Sequence, residues 1–89
     1  MPDLRTEREH LFEADRHIVA GERRVTAQAL RVERLRRGGH DTGGAERLLL
    51  NLRQTLEAWW DHRAAILREI ARLEHAGTRP SHVRAPPPR

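Results

Sequence analysis

Apolar residues recur every seven positions in two long segments, and this repeat constrains the fold more than any other feature of the chain. Each register persists for more than four heptads, which is typical of coiled-coil helices and not of strands. Position a of the first segment holds Leu4, Leu11, Ile18, Val25 and Val32. Position d of the second segment holds Ala45, Leu52, Trp59, Ile66 and Leu73. The repeat therefore predicts an all-α protein.

A cluster of helix-breaking residues, RGGHDTGG, separates the two segments. Gly38 or Gly39 can end a helix in the left-handed conformation. Asp41 or Thr42 can cap the first N–H groups of the next helix. The predicted boundaries are about 3–37 for helix one, 38–41 for the turn and about 42–76 for helix two.

The C-terminal segment differs in composition from the rest of the chain. Residues 77–89 begin with a glycine and contain four prolines and three arginines. We expect Gly77 to end helix two and the proline- and arginine-rich tail to be disordered. A chain of 89 residues has room for one small domain, so residues 1–76 form a single predicted helical hairpin.

A short turn requires the two helices to run antiparallel. With the turn centred near residue 40, the numbers of facing residues add up to about 80. Gly21 then faces Trp59, Ala14 faces Ile66, and Gln28 faces Leu52. Small residues opposite large ones allow close packing. The predicted hairpin seam contains Leu11, Ile18, Gly21, Val25, Leu52, Leu56, Trp59 and Ile66.

Further apolar residues fall outside this seam, on one adjacent side of both helices. They are Phe12, Val19, Trp60, Ala64, Leu67 and Ala71, and we name them the apolar flank. A two-helix hairpin buries little surface, so the sequence predicts that two hairpins pair into a dimeric, antiparallel four-helix bundle. Two alternatives stay open: a helix of a different partner protein binds the flank, or these residues are ordinary exposed apolar side chains.

Three histidines are weak candidates for metal ligands. His10, His17 and His62 occupy position g, where His17 would lie near His62, and His10 near Glu69. A cluster of two histidines and a glutamate can bind zinc, but polar pairing along the flank explains the same pattern, and no HExxH motif is present. The chain has no cysteine, which rules out a thiolate metal site. We expect neither a metal site nor another cofactor.

No arrangement of residues predicts catalysis. General acid–base chemistry needs a concave site that shifts pKa values, and two long helices do not form one. The glycine-containing turn follows no strand and is followed by no lysine, so it matches neither of the common phosphate-binding motifs. We expect a protein that is not an enzyme.

Arginine supplies all 17 basic residues, and the formal net charge is +4. A positive stripe near the turn is formed by Arg23, Arg24, Arg31, Arg34, Arg36 and Arg37. Such a stripe can neutralise phosphates and bind nucleic acid without sequence preference. The helix dipole also favours cations at this end of a helix, and no aromatic residue lies among them for base stacking.

The chain resembles a group of short, uncharacterised α-helical hairpin proteins of proteobacteria. Three stretches carry the likeness: ADRH at 14–17, GERR at 21–24, and GHDT at 39–42 with AERLL at 45–49. The resemblance implies a small cytoplasmic bacterial protein and transfers no activity or functional residues. The chain has no segment long and apolar enough for a membrane span, which agrees with a soluble protein.

These observations predict a small non-catalytic protein–protein interaction module that self-associates through the apolar flank. The alternative is non-specific binding of nucleic acid by the arginine-rich half of helix one and the basic tail.

Overall fold

A computed structural model describes the backbone of residues 3–83 and the side chains as far as residue 76. The chain forms two α-helices, α1 (Leu4–Arg37) and α2 (Gly43–Val83). The two helices pack against each other as a hairpin, and no strand occurs among the residues described. The predicted all-α hairpin is therefore confirmed. The tail, residues 77–89, was predicted to be disordered. Its last six residues, 84–89, lie outside the described range.

Helix α1 begins with a side-chain cap. The Asp3 carboxylate accepts a hydrogen bond from the Thr6 backbone N–H, with an oxygen–nitrogen distance of 2.8 Å. This satisfies one of the N–H groups that have no partner within the helix. The same hydrogen bond holds the pKa of Asp3 below its ordinary value.

The C-terminal end of α1 is a Schellman motif. The Gly39 N–H donates to the Arg36 carbonyl at 3.1 Å, and the His40 N–H donates to the Leu35 carbonyl at 2.9 Å. Gly39 has a φ of 75°, a conformation that glycine adopts without the steric cost of a Cβ atom. Of the two glycines proposed for this role, Gly39 is the one that takes it.

Two residues of the turn organise the start of α2. Asp41 Oδ1 accepts a hydrogen bond from the Gly43 N–H at 3.0 Å, as expected for a capping residue. The Thr42 hydroxyl instead donates to the Glu46 carboxylate at 2.6 Å. That carboxylate also accepts a hydrogen bond from Arg36 at 2.9 Å, so it ties α2 to the last turn of α1.

Helix α2 does not end where the sequence predicts. It continues through Gly77 to Val83, whereas the expected end was residue 76. An interior glycine costs a helix about 1 kcal/mol relative to alanine, which weakens the helix locally but is too little to stop it. Glycine ends a helix when the following residues reverse the chain, as they do after Gly39.

The seam between the helices is buried or half-buried at all eight predicted positions. Its best-buried cluster joins Ala14 of α1 to Ile66 and Ile70 of α2, with Leu4, Leu11 and Trp59 packed around it. Ala14 and Ile66 are therefore close, as predicted. The apolar periodicity of the two segments thus identifies which side of each helix is covered.

Two of the facing pairs differ from those expected. Leu56 lies beside Gly21, because a Cβ atom added to this glycine would be 3.1 Å from Leu56 Cδ1. The residue expected there was Trp59, three positions later. Similarly, the amide of Gln28, expected opposite Leu52, donates to the Ala45 carbonyl at 2.9 Å. These two pairs are therefore not the predicted ones, whereas the pairing of Ala14 with Ile66 is.

We predict opposite effects for two glycine-to-alanine changes near the turn. Gly39→Ala should lower the free energy of unfolding by about 1 kcal/mol, because alanine is strained at positive φ. Gly44→Ala should raise it by up to about 1 kcal/mol, because this residue lies in the first turn of α2 and alanine has the higher helix propensity.

Urea denaturation at one fixed protein concentration measures both changes. No side-chain or backbone atom lies within 4 Å of a Cβ added at Gly39, so a loss of stability there reports the backbone conformation. An unchanged stability of Gly39→Ala would contradict the assigned turn.

Candidate interaction surface

All six residues of the apolar flank are exposed. The exposed fraction is 63% for Phe12, 46% for Val19, 46% for Trp60 and 40% for Leu67. A single hairpin therefore leaves these four large apolar side chains in contact with solvent, and it does the same for Leu30, Leu48 and Leu50 outside the flank. Scattered apolar residues on a surface are ordinary, so their relative placement decides what they mean.

On α2 the flank forms a regular stripe, which we name the α2 stripe: Trp60, Ala64, Leu67 and Ala71. Successive members are four, three and four positions apart, so they lie on one face of the helix. This is the spacing of a coiled-coil seam. The face lies roughly a quarter turn around α2 from the seam with α1. Helix α2 consequently has two apolar seams, of which the hairpin covers one.

An ion pair lies beside this stripe, between the two helices. Arg63 Nε donates to Asp15 Oδ1 at 2.6 Å, and the Arg63 guanidinium lies 5.9 Å from the centre of the Trp60 ring. Asp15 lies between Phe12 and Val19 in the sequence of α1. The ion pair therefore divides the flank into an apolar part on each helix. Arg63 lies one heptad from Leu56 and from Ile70, at a position that the repeat otherwise fills with apolar residues. This ion pair was not predicted from the sequence, although an arginine among apolar seam positions indicates that it needs an acidic partner.

Three rings form a cluster on the opposite side of the hairpin. Trp59 stacks on His17 with ring centres 4.1 Å apart and an angle of 7° between the planes. Trp59 also contacts His62 edge to face at 5.5 Å. His17 and His62 were predicted to lie near each other. Both rings contact Trp59, His17 from α1 and His62 from the next turn of α2.

His10 was predicted to lie near Glu69, but the two side chains have other partners. His10 Nδ1 lies 3.7 Å from Glu7 of the same helix. Glu69 forms a short hydrogen-bonded ion pair with Arg72 one turn away, and this contact holds the pKa of Glu69 below its ordinary value. Each of the two side chains thus has a partner on its own helix, which accounts for the difference. Among the described residues, no group of three or more potential ligands could hold a metal ion.

The six arginines of the positive stripe are all exposed. Arg36 is paired with Glu46 at 2.9 Å. Within the part of the chain that the structure describes, the other five form no ion pair. The turn-proximal half of α1 therefore carries an uncompensated positive charge that is available to an anionic partner.

The surface grooves of the hairpin are open and shallow. One lies on α1 alone, lined by Arg5, Arg8, Glu9, His10, Phe12 and Glu13. Another is lined by Trp59 and His62 with Thr55 and Ala58, all on α2. A groove on a single helix does not enclose a ligand or remove water from a reacting group. Neither helix contains an apolar segment that could cross a membrane, within the residues described.

Comparisons of the chain with protein families, with curated proteins and with solved structures found no match. The resemblance to proteobacterial hairpin proteins therefore stays a prediction, and the geometry of the hairpin carries the functional argument.

We predict that His17→Ala destabilises the hairpin by about 0.5–1.5 kcal/mol, the range found for stacked aromatic pairs. His10→Ala is the matched control, because His10 lies one heptad earlier and contacts no ring in the described structure. It should change the free energy of unfolding by less than about 0.5 kcal/mol.

Urea denaturation followed by circular dichroism measures both variants, and the tryptophan emission maximum gives a second readout. His17→Ala should shift the emission to longer wavelength, because one face of Trp59 becomes hydrated. Equal stability of the two variants would contradict a stabilising role for the stacked rings.

Proposed function

We propose that the protein is a small non-catalytic interaction module that forms a homodimer through the apolar flank. The supporting observation is the coincidence of Trp60 and Leu67, both exposed by 40% or more, with exposed alanines at seam spacing on α2. A second apolar seam on a helix that already has one partner is the pattern of a helix inside a four-helix bundle.

The energetics of a two-helix hairpin point the same way. Each helix has one neighbour, so most of its residues stay exposed to water. Fully burying a side chain the size of leucine stabilises a structure by about 1.5–3 kcal/mol. The four large side chains of the flank are each about half exposed, so their burial by association can add about two such contributions that the hairpin alone does not provide.

A cytoplasmic location in a bacterium belongs to the same proposal. Its support is the sequence resemblance described above.

The test is the oligomeric state in solution. We expect the protein to sediment as a dimer at tens of micromolar, and Leu67→Glu to shift it towards monomer, because the carboxylate would be buried in the interface. Leu48→Glu is the matched control. Leu48 is a leucine of the same helix with a similar exposure, 48% against 40%, but it lies outside the flank.

Sedimentation velocity of the three proteins at several concentrations gives the answer. A wild-type protein that remains a monomer at these concentrations would overturn the proposal. Equal dissociation of both glutamate variants would show that association does not use the flank.

A second function, binding of nucleic acid, is supported by the five unpaired arginines of the positive stripe. We expect duplex DNA to bind at low salt and to dissociate as salt increases, because phosphate neutralisation releases counterions. Changing Arg31, Arg34, Arg36 and Arg37 together to glutamine should abolish the binding. A gel-shift titration at two salt concentrations checks it, and the absence of binding at low salt would eliminate this function.

A further inference from the structure

We propose that the second copy docks antiparallel along the α2 stripe, with a two-fold axis at the level midway between residues 65 and 66. This geometry rests on the proposed self-association. In it, α2 packs against the partner's α2 and not against the partner's α1.

The sizes of the side chains in the α2 stripe are self-complementary about that axis. Trp60 and Ala71 are equally far from the midpoint between residues 65 and 66, and so are Ala64 and Leu67. Two antiparallel copies therefore place Trp60 against the partner's Ala71 and Leu67 against the partner's Ala64. Each large side chain meets a small one, which is what close packing of two helices needs.

Charges beside the stripe are complementary in the same arrangement. Asp61 and Arg68 are exposed, and neither forms an ion pair within the part of the chain described. The two residues lie on opposite sides of the proposed axis, and their distances from it differ by two residues, or about 3 Å of helix rise. Asp61 consequently lies near the partner's Arg68, and the symmetry creates this pair twice. Opposite charges along the edge of a helix interface favour one orientation over others.

The position of the axis also explains why Phe12 has the highest exposed fraction of the large apolar side chains described. Because Asp15 pairs with Arg63 and Ala14 packs against Ile66, the level of residues 65 and 66 on α2 corresponds to the level of about residues 13 and 14 on α1. Phe12, which is 63% exposed, therefore lies next to the axis. The two copies of Phe12 approach each other there.

The competing arrangement has its two-fold axis parallel to the helices, so that α2 packs on the partner's α1. It sets Leu67 against the partner's Phe12 and Trp60 against the partner's Val19. Large side chains then meet large ones, and both alanines of the stripe lack a large side chain to cover them. The antiparallel contact between the two α2 helices is the better packed of the two.

Distances between spin labels separate these arrangements, and the chain contains no cysteine that would interfere. Gln54→Cys and Arg47→Cys lie on one exposed side of α2, seven residues apart. With the proposed axis, the label–label distance along the bundle is about 35 Å for Gln54→Cys and about 55 Å for Arg47→Cys, at 1.5 Å of helix rise per residue. An axis parallel to the helices makes the two distances equal.

Pulsed electron–electron double resonance on each labelled variant measures these distances. Sedimentation of the same samples is the control for association. A difference of about 20 Å between the variants supports the proposed axis. Equal distances in a sample that sediments as a dimer overturn it but leave the proposed function intact. A monomer without dipolar coupling overturns the proposed function itself.

Disulfide formation provides a second, independent test. Phe12→Cys should oxidise to a covalent dimer, because the two copies meet near the axis. Val19→Cys should not, because five to six residues of helix per copy separate its two thiols by about 16 Å along the bundle. Equal cross-linking of the two variants would contradict the proposed axis.

A charge exchange tests the predicted ion pairs. Asp61→Arg and Arg68→Asp should each weaken the dimer several-fold, and the double variant should restore the wild-type dissociation constant. Both side chains are exposed in the hairpin, so the folded monomer tolerates the changes. Additive weakening in the double variant would contradict the proposed pairing of Asp61 with the partner's Arg68.

Discussion

The contact between one stripe of α1 and one stripe of α2 is the interaction on which the whole hairpin depends. Two helices have a single interface, so no other element shields a mispacked residue or fixes the relative height of the helices. Ala14 packs against Ile66 and Ile70, and the space beside Gly21 is filled by Leu56. Gln28 adds a directional constraint, because its buried amide reaches the Ala45 carbonyl. Sliding the helices would leave that amide unsatisfied in an apolar seam, which is costly.

This narrow core determines what the surface can do. The grooves described above are open and lie on the outside of the helices. The hairpin carries three distinct surface features: an apolar stripe on one side, stacked rings on the other and a positive stripe near the turn. A partner would have to present a surface complementary to one of them. The ion pair of Asp15 and Arg63, with Trp60 beside it, gives the apolar side an orientation that a purely apolar surface would lack.

The heptad repeat was sufficient to predict both helices, the turn and the covered face, because these follow from local periodicity and from the breakers between the segments. The exact facing pairs required a property that periodicity does not contain, the relative height of the two helices at each level. Leu56 and not Trp59 is therefore the residue found beside Gly21, and His10 pairs with Glu7 of its own helix and not with Glu69. The exposed positions of the flank could be predicted, since they follow from the same helical wheel. The contact of Arg63 with Asp15 could not, because it depends on the register.

The unequal lengths of the helices have a consequence for the folding of the chain. Helix α2 has 41 residues and α1 has 34, so α2 extends about one heptad past the level at which α1 begins. A helical segment of two turns has little stability without a neighbour. In an antiparallel pair of α2 helices, the overhang of each copy runs beside the turn-proximal half of the other. In the proposed dimer, helix formation at this end is therefore coupled to association by mass action, and such a dimer has a helical content that depends on its concentration.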